Sequence, residues 1–251
     1  MSGEDMRIEV VTLFPEFVGQ AVRVGVLGRA IEAGRVAVNA TTPREFATDV
    51  HRTVDDRPYG GGPGRVLKSE PARPAIRAAK ARLPAGSRSV YLAADGAPLT
   101  HALAREFAQL PGLMLLAGRY EGVDERLIES EIDASVSIGD YVLSGGELPA
   151  LVLIDAVVRL LPGVLGDGES AEQDSFANGL LDWPHYTRPE VFEGRAVPEV
   201  LASGNHAAIR RWRTKQALGR TWLRRPELIA KLTLSAEEQR LLDEFKTELP
   251  K

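Results

Sequence analysis

The chain has 251 residues, a net charge of −4 and no cysteine, which excludes disulfides and thiolate metal sites and leaves room for one ordinary domain plus a smaller one. His51, His101, His185 and His206 stand apart without ligand spacing, so no histidine-bound metal is expected. The most apolar run, 148–161, is too short to span a bilayer and contains Asp155 and Arg159; with a polar start and no signal-peptide pattern, the expectation is a cytoplasmic protein.

Residues 7–13 alternate as a strand, and Phe14-Pro15-Glu16 opens a helix expected to run to Gly34, a residue suited to a left-handed cap. A second strand covers 36–40. The stretch Asp55-Asp56-Arg57-Pro58-Tyr59-Gly60-Gly61-Gly62-Pro63-Gly64 predicts a mobile loop with no regular structure. It lacks the Lys-Ser/Thr ending of a P-loop, which argues against ATP or GTP there. A helix over 71–83 carries Pro71 and Pro74 near its start, where proline is tolerated. Strands over 89–94 and 113–117 bracket a helix over 99–110; a short helix over 123–131 and a strand over 134–138 follow. This alternation predicts a mainly parallel sheet with helices on both faces.

Three strand-end loops then attract attention: Tyr91-Leu92-Ala93-Ala94-Asp95-Gly96, Gly118-Arg119-Tyr120-Glu121-Gly122, and Ser137-Ile138-Gly139-Asp140-Tyr141-Val142-Leu143-Ser144-Gly145-Gly146-Glu147. One glycine loop is as readily a turn as a site. Three at the carboxyl ends of parallel strands can converge on one ligand. The helix over 148–161 is apolar on nearly every side, which one sheet cannot cover, so a second subunit is expected against it. Residues 162–190, with Gly166, Gly168, Gly179, Pro184 and Pro189, have no period and read as a functional linker. Beyond Pro198 the pattern is helical. Within 209–231 eight cations stand against Glu227 alone, a local charge of +7 on an acidic protein and an electrostatic footprint for phosphates. Ser235-Ala236-Glu237-Glu238 opens a last helix. The expected division is 1–161, a 162–190 linker, and 191–251 as a small all-helical domain.

Phe14-Pro15, Pro58-Tyr59-Gly60-Gly61-Gly62-Pro63-Gly64, Gly118-Arg119-Tyr120-Glu121-Gly122-Val123-Asp124, the 137–147 loop, Asp174-Ser175-Phe176 and Pro184-His185-Tyr186-Thr187-Arg188-Pro189 together resemble the bacterial tRNA (guanine-N1)-methyltransferase family, in the family's order from about Met6 onward. In one place the chain departs from the family's pattern, having Ala93-Ala94-Asp95-Gly96 where a Ser-Pro-containing adenosine loop is expected. Periodicity alone indicates a Rossmann-like sheet. The resemblance implies instead a deep trefoil knot, S-adenosylmethionine bound in it, and a homodimer; because the linker leaves the end of 148–161 beside the second subunit, active sites shared across the interface are expected. The resemblance also implies methylation of the tRNA guanosine next to the anticodon, at position 37, and dependence on a divalent cation, Mg²⁺, which Glu121 could help to position.

Methylating N1 of guanine requires a base for its proton and a cation where charge develops on O6. The resemblance implies Asp174 as base and Arg159 as cation. Read without it, Asp174 is a solvated linker acid and Arg159 a cation at a helix C-terminus. The implied cofactor residues are Tyr91, Leu92, Ala94, Gly118, Tyr120, Glu121, Ser137, Ile138, Gly139, Asp140, Tyr141, Val142, Leu143, Gly145 and Gly146. The anticodon stem-loop would meet Asp182, Arg188, Arg210, Arg211, Arg213, Lys215 and Arg220, with Trp212 and Trp222 among the arginines. Two alternatives remain open at this point: methylation of another RNA nucleotide, and a DNA-binding regulator using 209–225 as a helix-turn-helix.

Overall fold

The computed structural model describes residues 6–165 and 174–249. The chain divides into two compact units at residue 168. In the first, the elements are β1 (Met6–Val11), α1 (Pro15–Ala21), α2 (Gly25–Glu32), β2 (Val36–Thr41), β3 (Asp55–Asp56), β4 (Val66–Leu67), α3 (Ser69–Ala81), β5 (Arg88–Pro98), α4 (His101–Phe107), β6 (Gly112–Ala117), α5 (Glu125–Glu131), β7 (Ala134–Ser137) and α6 (Glu147–Val158). Five strands form one sheet in the order β2-β1-β6-β5-β7, and every neighbouring pair is parallel.

Consecutive apolar residues make this sheet a two-sided core. Leu113, Met114, Leu115 and Leu116 on β6 are all fully buried, so both faces of the central strand are covered, as a parallel sheet requires. Ile8, Val10, Val90 and Leu115 pack with Val18, Leu27, Phe107 and Ile154 on one side. Val11, Met114 and Leu116 pack with Ile76 and Leu127 on the other.

Three expectations change. The helix expected from Phe14 to Gly34 is broken into α1 and α2, because the chain turns after Val22 and enters α2 through Gly25 at φ +66°, a left-handed conformation that costs glycine little. The strand expected to end at Ala94 continues to Pro98. Leu92 and Ala97 both pair with Val136, so residues 93–96 bulge out of the ladder and the strand resumes beyond them. The glycine-rich stretch is the tip of an antiparallel hairpin: Asp55 and Asp56 pair with Leu67 and Val66. That hairpin is laced to the loop after β6, with Glu121 N–H donating to Arg65 O at 2.8 Å and Leu67 N–H to Gly122 O at 2.9 Å.

At the opposite end of the sheet, Asp133 accepts hydrogen bonds from the Ser89 amide (2.7 Å) and hydroxyl (2.6 Å). Burial pushes this carboxyl up, but the bonds from Ser89 outweigh it and hold it below the usual carboxylate range. A carboxyl depressed in the folded state stabilises above its unfolded value and loses that contribution as pH falls through the folded one. Asp133→Asn is therefore expected to cost about 1 kcal/mol at neutral pH, reduced from a buried charged bond by partial solvation. The difference from wild type should shrink toward zero in acid, read as urea midpoints across pH.

The second unit holds the hairpin β8 (Val191–Phe192) and β9 (Arg195–Ala196), then α7 (Glu199–Ala202), α8 (His206–Arg224), α9 (Pro226–Ile229) and α10 (Ala236–Glu248). It is thus not all-helical. Leu218, Leu241 and Leu242 form its core, with Leu180, Trp222, Ile229 and Leu234 against them. Gly219 lets α8 meet the Phe245 ring of α10, where a Cβ would collide. Ser235 and Glu238 close a reciprocal capping box at the start of α10. The described part of the expected linker, 174–190, packs into this unit: Leu181 N–H donates to Thr221 Oγ1 at 2.8 Å and Leu180 joins the core. The linker's residues 166–173 lie outside the described residues.

Candidate active site

Parallel strands all finish at the same edge, so the loops after β5, β6 and β7 are brought together without further design. They wall a cavity of about 400 Å³. Every residue expected at the cofactor lines it except Asp140. Its floor depends on missing side chains. Gly146 N–H donates to Gly118 O at 2.7 Å, and Gly145 pairs antiparallel with Arg119, so the last loop lies directly on the end of β6. A Cβ on Gly118 would meet the Tyr91 ring at 2.9 Å, and one on Gly146 would meet Ala117 Cα at 2.7 Å.

A buried polar chain ties these loops to the first strand. Glu147, 1% exposed in the first turn of α6, accepts from Thr12 Oγ1 at 2.8 Å and pairs with Arg119 Nε at 3.0 Å. A carboxylate is favoured at a helix N-terminus. Arg119 lies 4.5 Å over the Phe14 ring, and Phe14 N–H donates to Thr12 Oγ1 at 3.0 Å. The circuit explains why Phe14, Arg119 and Glu147 each sit in a motif-like stretch. Thr12, Arg119 and Glu147 were not among the expected site residues. Glu147→Gln is expected to cost about 2 kcal/mol, below a fully buried pair because Arg119 is partly in solvent, and to weaken any ligand of the 118–122 loop. Thermal melts and calorimetry on the same samples check both.

The cavity wall is polar and apolar in about equal measure. Burial, then the charges of Asp95 and Glu125, pushes the Tyr91 phenol up. Tyr120, at φ +65°, is raised by burial and by its hydrogen bond with Asp55. Both therefore stay protonated donors at neutral pH.

The remaining expected residues are elsewhere. Arg159 caps the far end of α6, ten residues after Pro149, the last α6 residue that lines the cavity, and so about 15 Å along the helix from it. It shares an outward stripe with Leu148, Val152 and Asp155. Asp174 belongs to the second unit, where its carbonyl accepts from Ala177 N–H at 3.1 Å in a turn. Asp182 accepts from Trp183 N–H at 2.7 Å and pairs with His185 Nε2 at 2.7 Å, and Arg188 is exposed. Arg211 pairs with Glu244 at 2.6 Å, and Lys215 with Glu248 at 2.7 Å. Trp222 packs against the core, with Lys246 over its ring, whereas Trp212 meets Tyr186. Among the described residues no three carboxylates or histidines gather as a metal site. No helix among them is long and apolar enough to cross a membrane.

Residues 6–231 match the family described as tRNA (Guanine-1)-methyltransferase TrmD. The chain belongs to this family. A tRNA (guanine-N(1)-)-methyltransferase of Methylococcus capsulatus is 66% identical over 243 residues, 97% of this chain and 97% of that protein. Proteins of the same name from Chromohalobacter salexigens and Coxiella burnetii are 59% and 60% identical, covering 96% and 95% of this chain and 92% and 96% of their own. Family membership gives the cavity a chemical context, methyl transfer, and the family match ends before α10.

Proposed function

We propose that the protein transfers a methyl group from S-adenosylmethionine to N1 of guanosine 37 in tRNA. The observation that carries this reading is the cavity built by three strand-end loops in a chain of this family. Its mixed polar and apolar walls, protonated tyrosines and close-packed glycine backbone suit an adenosine and its thioether-linked tail. Bound there, S-adenosylmethionine supplies a methyl group activated by its sulfonium.

Asp174 accepts the N1 proton, which frees the N1 lone pair to form the new bond to carbon as the sulfur–carbon bond breaks. Arg159 meets the negative charge that would otherwise build on O6. No step is assigned to Mg²⁺. Arg159 stands about 15 Å along α6 from the nearest α6 residue of its own cavity, Pro149, which favours a homodimer in which it serves the partner's site. The half-exposed Leu148 and Val152 on the same stripe, with Phe14 and Phe17 also half exposed, support a second copy against α6. A trefoil knot is consistent with the strand order: from β7 at the edge the chain returns past β5 to lie on β6. The second unit, with Asp182, Arg188, Arg210, Arg213 and Arg220, receives the anticodon stem-loop, which makes the cytoplasm the place of action.

Incubation with unmodified tRNA and labelled S-adenosylmethionine, followed by nucleoside analysis and mapping, should yield 1-methylguanosine at position 37. Methylation at another atom or position would overturn the assignment.

A further inference from the structure

The eight cations of 209–231 look uniform in the sequence, but the fold sorts those on α8 into two faces. At 3.6 residues per turn, Arg210, Arg213, Arg220 and Arg224 fall within about 80° of one another around the axis, and Arg211 and Lys215 stand roughly opposite. The Arg211–Lys215 face meets α10. Arg211 pairs there with Glu244 at 2.6 Å and Glu237 at 3.8 Å, and Lys215 with Glu248 at 2.7 Å. The hydrogen bond to Glu244, then the surrounding carboxylates, raises Arg211 above its ordinary value, and the same bond lowers Glu244.

The other face has no such neutralisation. Among the described residues no carboxylate pairs with Arg210, Arg213, Arg220 or Arg224, and the Nε atoms of Arg213 and Arg220 are buried without a hydrogen-bond partner. Arg213 instead lies over the Trp183 ring, its Cζ 4.8 Å from the centroid, which holds its guanidinium in place without consuming its charge. From Arg210 to Arg224 the stripe runs about 21 Å. A cation already balanced by a carboxylate of its own chain gains little from a phosphate and releases no counterion; an unbalanced one does both.

We propose that RNA is held by the stripe Arg210, Arg213, Arg220 and Arg224, with Trp183 supporting Arg213, and that α10 withdraws Arg211 and Lys215 from RNA contact. This rests on the reading that the protein binds tRNA. It reassigns two of the cations expected at the RNA and adds Arg224.

The test uses the full chain and fluorescently labelled tRNA, with Kd measured by anisotropy from about 50 to 200 mM KCl. R213Q/R220Q and R211Q/K215Q each remove two positive charges, so a general field effect would treat them alike. R213Q/R220Q should flatten the slope of log K against log salt by about 1.4 to 1.8, at 0.7 to 0.9 per phosphate contact, and weaken binding at least about tenfold. R211Q/K215Q should leave the slope unchanged and Kd within about threefold. Should R213Q/R220Q fold poorly, R210Q/R224Q removes two exposed members of the same stripe with the same expectation. An equal or larger loss from R211Q/K215Q, or an unchanged slope in the stripe variants, overturns the proposal while leaving tRNA binding intact. A wild-type chain that does not bind tRNA overturns the functional reading and this proposal with it.

Discussion

Asp174→Asn should slow methyl transfer by about 10² to 10⁴-fold, the range a positioned general base contributes, while leaving S-adenosylmethionine affinity within about twofold of wild type. The asymmetry follows from the roles assigned. The cavity lies in the first unit and is walled by residues of β5, β6, β7 and their loops, whereas Asp174 belongs to the second unit. Its work begins only when guanine is present, because the proton it takes belongs to the RNA. Single-turnover transfer with saturating tRNA reads the first quantity and calorimetry of the tRNA-free protein the second. Lost cofactor binding in this variant would make Asp174 a cavity residue and end its assignment as the base.

Mixing two inactive variants should restore about a quarter of wild-type activity. One variant is Asp174→Asn. The other is Gly145→Val, whose added carbon would collide with Arg119 and stand 2.6 Å from Glu147 Oε2, closing the cavity of its own chain. With random exchange about half of the dimers are mixed, and in each of those one site inherits both defects and the other neither, if cofactor and base come from different chains. A base acting within its own chain leaves one defect in every site. Exchange is verified by differently tagged subunits, and sedimentation verifies that Gly145→Val remains a dimer. Persistent inactivity in confirmed mixed dimers would refute the shared site.

Much of the first unit was legible in the sequence because its signals are local. Consecutive Leu113, Met114, Leu115 and Leu116 report a strand buried on both faces, and glycines after apolar runs report loops at strand ends. Such patterns depend on residues a few positions apart, so the parallel sheet and nearly the whole cavity wall could be read from them. Ser235 with Glu238 is the same kind of signal, and the capping box is present.

Other features depend on partners that no local pattern specifies. Thr12 and Glu147 are 135 positions apart and meet only because the chain, after β7 at the sheet edge, comes back to the centre. Lys215 and Glu248 are 33 apart, and composition cannot tell a cation so neutralised from one left open. The bulge at 93–96 likewise depends on a partner strand, since Leu92 and Ala97 both pair with Val136. The sequence by itself determined most strands and helices of the first unit, the sheet class and the loops around the cavity, since burial and backbone freedom are written at each position. Only the tertiary structure decided which charges are spent on the protein itself and how far Arg159 stands from its own cavity, because electrostatic pairing and distance exist only once remote segments share one space.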